Sequence, residues 1–139
     1  MENKMELRFP GISENESFAR TCATSFASQL DPTLEQIADI KTAISEAVTN
    51  AVVHAYGGEE GEVILRCSLE SGVFFAEIED MGIGIKDIEL AKTPFYTSAD
   101  TSERSGMGFT VMEAFMDSVE VFSVPNKGTK VVMRKRIRP

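Results

Sequence analysis

Hydrophobic residues recur at helical spacing in three stretches of the chain, and each stretch predicts an amphipathic helix. The longest helix is expected over about 33–55, where Asp31-Pro32-Thr33 supplies a cap and a proline suited to the first turn. One face of this helix should pack against the core. Its members are Ile37, Ile40, Ile44, Val48, Ala51 and Ala55.

An earlier helix is expected over about 14–30, because Ser13 and Glu16 have the spacing of a capping box. Arg20 lies on the polar face of this helix, where a solvated surface cation is the ordinary interpretation. The predicted inward residues are Phe18, Cys22, Phe26 and Leu30. A third helix of about ten residues should begin near Gly106 to Gly108, with inward residues Phe109, Met112, Phe115 and Met116.

Alternation of apolar and polar residues predicts strands with one face toward the core. These strands are expected over about 5–9, 63–69, 73–80, 119–124 and 129–137. Ser71-Gly72 should form a tight turn, and Pro125-Asn126-Lys127-Gly128 should close the last hairpin. Residues 86 to about 105 are polar and aperiodic, which is typical of a long loop.

Composition narrows the classes of function. A net charge of −8 and a pI near 4.7 argue against general nucleic-acid binding, and the basic cluster Arg134 to Arg138 is interpreted as a solvated strand edge. The N-terminus lacks a signal peptide and no apolar run approaches a membrane span, so a single cytoplasmic domain over 1–139 is expected. Cys22 and Cys67 lack the spacing of a zinc or redox site and are expected to be buried thiols. With His54 as the single histidine, a histidine-rich metal site is impossible.

The polar side of the longest helix carries Glu46, Asn50 and His54, spaced four residues apart. Each should therefore lie about one turn above the last, on a face different from the apolar stripe. A carboxylate and a carboxamide in this arrangement would hold a proton acceptor beside a metal-binding oxygen. An ordinary polar helix flank is the alternative.

Asp80 ends the predicted strand 73–80, and the two-residue period places it on the same face as Phe74, Ala76 and Ile78. Its carboxylate is therefore expected on the core side, where an unpartnered charge would cost several kcal/mol. Asp80 should consequently capture hydrogen-bond donors. These are either a ligand or, as a capping aspartate, neighbouring backbone amides.

Two pairs of glycines flank the predicted loop. Gly82 and Gly84 follow Asp80, where glycine allows a sharp turn and close approach to a flat ligand. Gly106 and Gly108 stand at the start of the third helix, where free amides and the helix dipole favour a phosphate. Plain loop chemistry is the alternative for the second pair.

Together, these features resemble the ATP-binding fold shared by gyrase, histidine kinases, MutL-type proteins and the ninety-kilodalton heat-shock chaperones. Three stretches, Ser13 to Arg20, Ser45 to Ala51 and Glu103 to Thr110, are similar to the anti-sigma F family of serine kinases. The resemblance implies an α/β (α+β) two-layer sandwich. In it, helices cover one face of a mostly antiparallel mixed sheet, and the nucleotide lies between the layers.

The resemblance also implies a homodimeric serine kinase with ATP or ADP and Mg²⁺ as cofactors. Its expected partners are a sporulation sigma factor, which it inhibits, and an anti-anti-sigma factor, which it phosphorylates, without contact to nucleic acid or membrane. It makes Glu46 the catalytic base, Asn50 the Mg²⁺ ligand, Asp80 the adenine acceptor and Arg20 a partner contact. The implied nucleotide-binding residues are Asn50, His54, Asp80, Gly82, Gly84, Arg104, Ser105, Gly106, Met107, Gly108 and Thr129.

Three alternatives stay open at this point. A stress-response kinase of the anti-sigma B type would share every nucleotide-binding residue. A nucleotide-gated binding module would bind ATP without transferring phosphate, although the presence of Glu46 argues against it. An ATPase of the chaperone or repair class is disfavoured because a second domain is missing.

Overall fold

The computed structural model describes residues 2–55, 61–84, 92 and 108–139. In chain order the elements are β1 (Asn3–Pro10), α1 (Glu14–Ala27), a short 3₁₀ turn (Ser28–Leu30), α2 (Leu34–Thr49), a π-helical turn (Asn50–Ala55), β2 (Glu62–Glu70), β3 (Val73–Asp80), α3 (Gly108–Phe115), β4 (Ser118–Val124) and β5 (Gly128–Arg136). Each predicted strand is present. The predicted loop over 86–105 lies outside the described residues, apart from Lys92.

The described strands form one five-stranded sheet in the order β1-β2-β3-β5-β4, and every neighbouring pair is antiparallel. Alternate residues of the strands join the helices in a single apolar cluster, so the core lies between the sheet and one helical layer. On the other face Arg66 forms ion pairs with Glu6, Glu77 and Glu79 at 2.8, 2.6 and 2.8 Å. The predicted two-layer α+β fold is confirmed.

The predicted stripe on α2 is confirmed by Ile40, Ile44 and Val48, which are fully buried. The helix begins with a capping box that the sequence analysis did not assign. The Thr33 hydroxyl accepts from the Gln36 amide at 3.1 Å, and the Gln36 side chain accepts from the Thr33 amide at 2.9 Å. These reciprocal bonds satisfy two backbone N–H groups at the helix start.

The predicted inward residues before the second helix are confirmed at Leu30, which is buried, but within α1 itself the predicted face was wrong by one residue. Ala19, Ala23 and Ala27 are fully buried, whereas Phe18 is 56% exposed and Phe26 is only half-buried. Because α1 packs against α2, a face of small alanines lets the two helices approach closely. The alanines and the larger apolar residues of α1 both recur every four residues. The prediction chose the face with the larger side chains, which is the wrong one.

The predicted capping box of α1 was also wrong. Ser13 has a helical backbone conformation and its side chain makes no cap hydrogen bond. The carboxylate of Glu16 turns instead toward α2, where it accepts a 3.0 Å hydrogen bond from the Ser45 hydroxyl. A partner on another helix therefore replaces the local one.

Helix α3 buries Phe109 and Met112, and Met116 follows it into the core, as predicted. Phe115 is a correction, because its side chain is 37% exposed. This residue ends the helix, and its carbonyl oxygen accepts a 2.8 Å hydrogen bond from the Lys135 ammonium of β5.

Both cysteines are free thiols. Cys67 is buried as predicted, and burial raises its pKa to about 12, which keeps the thiol protonated. Cys22 is only half-buried, because it lies beside the alanine face of α1 and not on it. Within the described ranges, no helix is long and apolar enough to cross a membrane.

Candidate functional site

Asp80 lies at the end of β3 on the face covered by the helices, as predicted, with 6% of its surface exposed. Its Oδ1 accepts a 2.9 Å hydrogen bond from the Gly82 amide. Burial raises the pKa of this carboxyl, and hydrogen bonds from the Gly82 and Thr129 backbones offset part of the rise. A local amide is therefore one donor to Asp80, and the carboxylate retains the capacity to accept others.

Two glycines with positive φ hold the chain around Asp80. Gly84 has φ +73°, and a Cβ there would collide with the Val124 carbonyl oxygen. Gly128 has φ +113°, and a Cβ there would collide with the carbonyl oxygen of Asp80 itself. The Asn126 amide also donates to the Ile83 carbonyl at 2.6 Å. The turn after β3 is thus fixed against the turn between β4 and β5 by backbone contacts that only glycine permits.

The end of α2 provides the second wall of the site. At Asn50 the α-helix becomes a π-helical turn, which contacts both β3 and β5. The Asn50 amide is shared between the carbonyls of Glu46 and Ala47. Single π-helical turns of this kind occur frequently at functional sites.

The side chain of Asn50 is half-buried, and its Nδ2 atom is buried without a hydrogen-bond partner in the described part of the chain. Buried polar atoms are rarely left unpaired, so Asn50 is a position that calls for a partner beyond the described residues, and a bound ligand is one such partner. Rotation of the carboxamide exchanges Nδ2 and Oδ1, so the same position can receive an oxygen ligand. Glu46, half-buried, precedes Asn50 by one turn as predicted.

The predicted one-turn spacing along α2, from Glu46 to Asn50, does not continue to His54. The backbone of His54 lies in the π-helical turn, where the hydrogen bonds span five residues and not four, and its side chain lies outside the described residues. The spacing expected from a 3.6-residue period therefore holds for Glu46 and Asn50 and is lost after them.

Arg20 is less exposed than a solvated surface cation, with a side chain 28% exposed. Its guanidinium lies 3.7 Å from the Glu16 carboxylate and donates a 3.2 Å hydrogen bond to Ser17. Since Glu16 also accepts from Ser45, Arg20 connects through Glu16 to the residue that precedes Glu46. The ordinary interpretation of Arg20 is corrected accordingly.

Thr129 is the second residue of β5 and lies directly opposite Asp80, on the same face of the sheet. Its hydroxyl lies 2.9 Å from that of Ser123, the opposite residue on β4. Ser123 was predicted to lie in a strand but not in the site. The strand register that aligns Asp80, Thr129 and Ser123 in one row is the signal that identifies it.

Gly108 is the first residue of α3 and is buried. This helix packs against α2. Four other predicted site residues lie outside the described residues: Arg104, Ser105, Gly106 and Met107. Lys92, from the predicted loop, lies 3.5 Å from Glu113 of α3. The structure thus brings together Asp80, Thr129 and the Asn50 turn.

An antiparallel sheet with one helical layer, and a polar site between the end of α2 and the ends of β3 and β5, defines an ATPase domain of the histidine-kinase type. Residues 12–135 match the family described as histidine kinase-like ATPase domain. Among solved structures, the RsbU and RsbW domains of a Mycobacterium tuberculosis protein align with a TM-score of 0.69 at 19% identity, covering 99% of this chain and 33% of that one. The catalytic domain of the histidine kinase ThkA aligns with a TM-score of 0.60 at 13% identity, covering 96% of both chains. These likenesses establish the fold.

Comparison with curated relatives narrows the family to which the chain belongs. The chain is 54% identical to an anti-sigma F factor of Clostridium perfringens strain SM101, over 99% of each chain. It is 56% identical to an anti-sigma F factor of Clostridium acetobutylicum, over 98% of this chain and 95% of that protein. The chain belongs to the anti-sigma F factor family of histidine kinase-like ATPase domains. Membership implies an anti-sigma factor that binds nucleotide.

Proposed function

We propose that the protein is an ATP-dependent serine kinase that inhibits a sporulation sigma factor and phosphorylates a serine of an anti-anti-sigma factor. The observation that carries the nucleotide part of the proposal is the buried carboxylate of Asp80, held beside Gly82 and opposite Thr129. A buried acceptor between two layers suits the exocyclic amino group of adenine, which offers two N–H donors. The glycine-fixed turn would then let the flat base approach the backbone.

Asn50 is proposed as the ligand of Mg²⁺. In the described part of the chain, no three histidine, cysteine, aspartate or glutamate residues group into a metal site, so a metal held by side chains alone has no support there. A single carboxamide oxygen fits a Mg²⁺ ion that takes its other ligands from phosphates and water. The buried, unpaired amide nitrogen of Asn50 supports a ligand group at this position. Bound Mg²⁺ would neutralise charge on the β- and γ-phosphates.

Glu46 is proposed as the general base. It lies one helical turn before Asn50, so its carboxylate would stand on the same side of α2 as the phosphates. There it would accept the proton of the substrate serine hydroxyl while the hydroxyl oxygen bonds to the γ-phosphorus and ADP leaves. Arg104 and the amides of Gly106 to Gly108 are proposed as the phosphate clamp, with His54, Ser105, Met107 and Thr129 completing the nucleotide-binding set.

The partners are proposed from the family and from the surface around Arg20. The Arg20 side chain keeps 28% of its surface exposed at the edge of the contact between α1 and α2, so its cation remains available to a partner. We propose that sigma factor and anti-anti-sigma factor both dock here, that the protein is a homodimer, and that it acts in the cytoplasm. Relatives of the anti-sigma B type and non-catalytic nucleotide-gated modules are the competing assignments.

The deciding experiment is incubation of the protein with labelled ATP, Mg²⁺ and a candidate anti-anti-sigma protein, followed by mapping of the phosphorylated residue. The proposal expects label on one serine of the acceptor. ATP binding without label on the acceptor would favour the non-catalytic module, and hydrolysis without transfer would favour an ATPase. Capture of a stress-response sigma factor in place of a sporulation sigma factor would favour the anti-sigma B type.

A further inference from the structure

One edge of the fold is formed by β1 and by the helix that lies along it. The Asn15 side chain donates to the Pro10 carbonyl at 2.9 Å, and the Asn3 side chain donates to the Gln29 side chain at 3.0 Å. Helix α1 therefore runs along β1 in the opposite direction. β1 pairs with β2 on one side, and its other side faces no strand in the described part of the chain. The outward N–H and C=O groups of β1 are consequently open to pairing with another strand.

Helix α1 carries a second apolar stripe at this edge. The stripe consists of Phe18, Cys22 and Phe26, of which Phe18 is 56% exposed and the other two are half-buried. Cys22 lies about 120° around the helix from Glu16. Because Glu16 bonds to Ser45 of α2, the stripe is on the side of α1 away from α2, toward the edge of the sheet.

The helix-facing side chains of β1 are also incompletely covered. Met5 and Leu7 pack against the core but stay half-buried, whereas Cys67 and Leu65, opposite them on β2, are buried. The stripe of α1 and these two side chains therefore expose apolar surface along the same edge. An exposed apolar surface beside an open strand is typical of an interface with another chain.

We propose that this edge, formed by β1 and the stripe Phe18, Cys22 and Phe26, is where a second copy of the chain docks, with the two β1 strands pairing antiparallel about Met5. This inference rests on the proposed homodimer and names its surface. A two-fold axis normal to the sheet would join the two sheets at their edges. The same axis would set both α1 helices on one side of the joined sheet, where their apolar stripes would cover each other.

The charge pattern of β1 favours a second copy in this register. Residues opposite each other across two strands share a face, so a symmetric antiparallel pair is centred on one residue. Centred on Met5, the pairing sets Lys4 opposite Glu6 of the second copy, and symmetry gives this pair of opposite charges twice. Centred on Glu6, it would set that carboxylate against its own copy. Centred on Leu7, it would bring Pro10, which has no N–H to donate, into the new ladder.

Sedimentation equilibrium over a series of concentrations measures the dissociation constant of the dimer. Phe18→Ser removes an exposed ring from the stripe and should raise this constant by about 10- to 100-fold, because each copy buries one such ring. Phe122→Ser is the matched control, since Phe122 is 54% exposed on β4 at the opposite edge of the sheet, and it should leave the constant unchanged. Circular dichroism melting of each variant confirms that it is folded. Equal constants for the two variants would overturn the proposed surface.

Lys4→Glu tests the strand pairing itself. It would set a glutamate opposite Glu6 of the second copy at two symmetric positions, and it should raise the dissociation constant by about 3- to 30-fold at low salt. Adding Glu6→Lys, which gives up the ion pair with Arg66, restores opposite charges between the copies and should recover most of the affinity. Lys41→Glu on α2 is an exposed control for the same change of net charge. A constant for Lys4→Glu equal to that of Lys41→Glu would overturn the pairing about Met5.

Two further results would also overturn the proposed surface. Phe18→Ser protein that remains dimeric but loses the sigma factor would assign the stripe to a partner of another kind. Parental protein that is monomeric at every concentration would overturn the surface and the proposed homodimer together. Phosphoryl transfer by such a monomer would leave the proposed kinase activity standing.

Discussion

At the scale of single residues, Asp80 combines burial with a charge that the proposed function requires. Its carboxylate is withdrawn from water and bonded to the Gly82 amide, and burial raises its pKa. Asp80→Asn retains the shape but replaces an acceptor oxygen with a donor. We expect the variant to stay folded and to bind ATP about tenfold to a hundredfold more weakly, as measured by calorimetry. An ATP affinity equal to the parental value would contradict the assignment of Asp80 to adenine.

The stability difference between Asp80→Asn and the parental protein should depend on pH, and its direction follows from the raised pKa of Asp80. A pKa raised above its ordinary value of 3.8 means that the folded protein holds the Asp80 proton more tightly than the unfolded chain does. The stability contributed by that proton is present below 3.8 and is lost as the pH rises through the raised pKa. Asparagine does not ionise, so the melting temperature of Asp80→Asn relative to the parental protein should increase across this window and then level off. A difference that stays constant with pH would show that Asp80 titrates normally.

At the scale of elements, the half-buried Lys135 joins α2, α3 and β5. The Lys135 ammonium lies 3.3 Å from the Asp39 carboxylate and donates to the Phe115 carbonyl at the end of α3, with side chains only 12% and 20% exposed for Lys135 and Asp39. A lysine at a helix C-terminus is also favoured by the helix dipole. This contact fixes the end of the helix whose beginning carries Gly108 of the candidate site.

Lys135→Met should therefore lower the free energy of unfolding by about 1.5–3 kcal/mol, since it removes a charged hydrogen bond and leaves Asp39 without its cation. Lys130→Met is the matched control on the same strand. Lys130 is 39% exposed and 4.0 Å from Glu77, so its loss should cost about 0–1 kcal/mol. Urea denaturation of both variants tests the difference, and equal losses would assign no special role to Lys135.

The sequence predicts the elements of this fold better than it predicts their local contacts. Strand alternation correctly oriented Asp80, because a two-residue period has only two possible phases and the apolar neighbours choose between them. On α1 the alanine face and the phenylalanine face repeat at the same spacing, and the choice depended on how closely α2 approaches. The π-helical turn at Asn50 and the hydrogen bond from Ser45 to Glu16 depend on tertiary contacts. The local sequence pattern therefore does not predict them.

At the scale of the whole molecule, the proposed partner surface around Arg20 and the candidate catalytic helix meet at the junction of α1 and α2. Arg20→Met should keep ATP affinity and lose sigma-factor and anti-anti-sigma binding by about 30-fold or more, because methionine retains the apolar stem without the charge. Arg20→Glu is the poorer variant, since it would place a second carboxylate against Glu16. Lys41→Met removes an exposed cation from α2 and serves as the control. Parental binding of both partners by Arg20→Met would remove Arg20 from the docking surface.

The last prediction separates binding from chemistry on α2. Glu46 and Asn50 lie one turn apart, but a carboxylate beside polyphosphate is repelled, so Glu46 is better suited to accept a proton than to bind ATP. Glu46→Gln should keep nucleotide and sigma-factor binding while phosphoryl transfer to the anti-anti-sigma factor falls by about 10²- to 10⁴-fold. Asn50→Ala should weaken both Mg²⁺-nucleotide binding and transfer.

Glu35→Gln, an exposed change in the first turn of the same helix, controls for altered charge on α2 and should transfer phosphate at the parental rate. Single-turnover transfer assays at saturating ATP distinguish loss of chemistry from loss of affinity. If Glu46→Gln matched Glu35→Gln in rate, the proton of the substrate serine would have to leave by another route. The kinase proposal would then rest on Asn50 and the family alone.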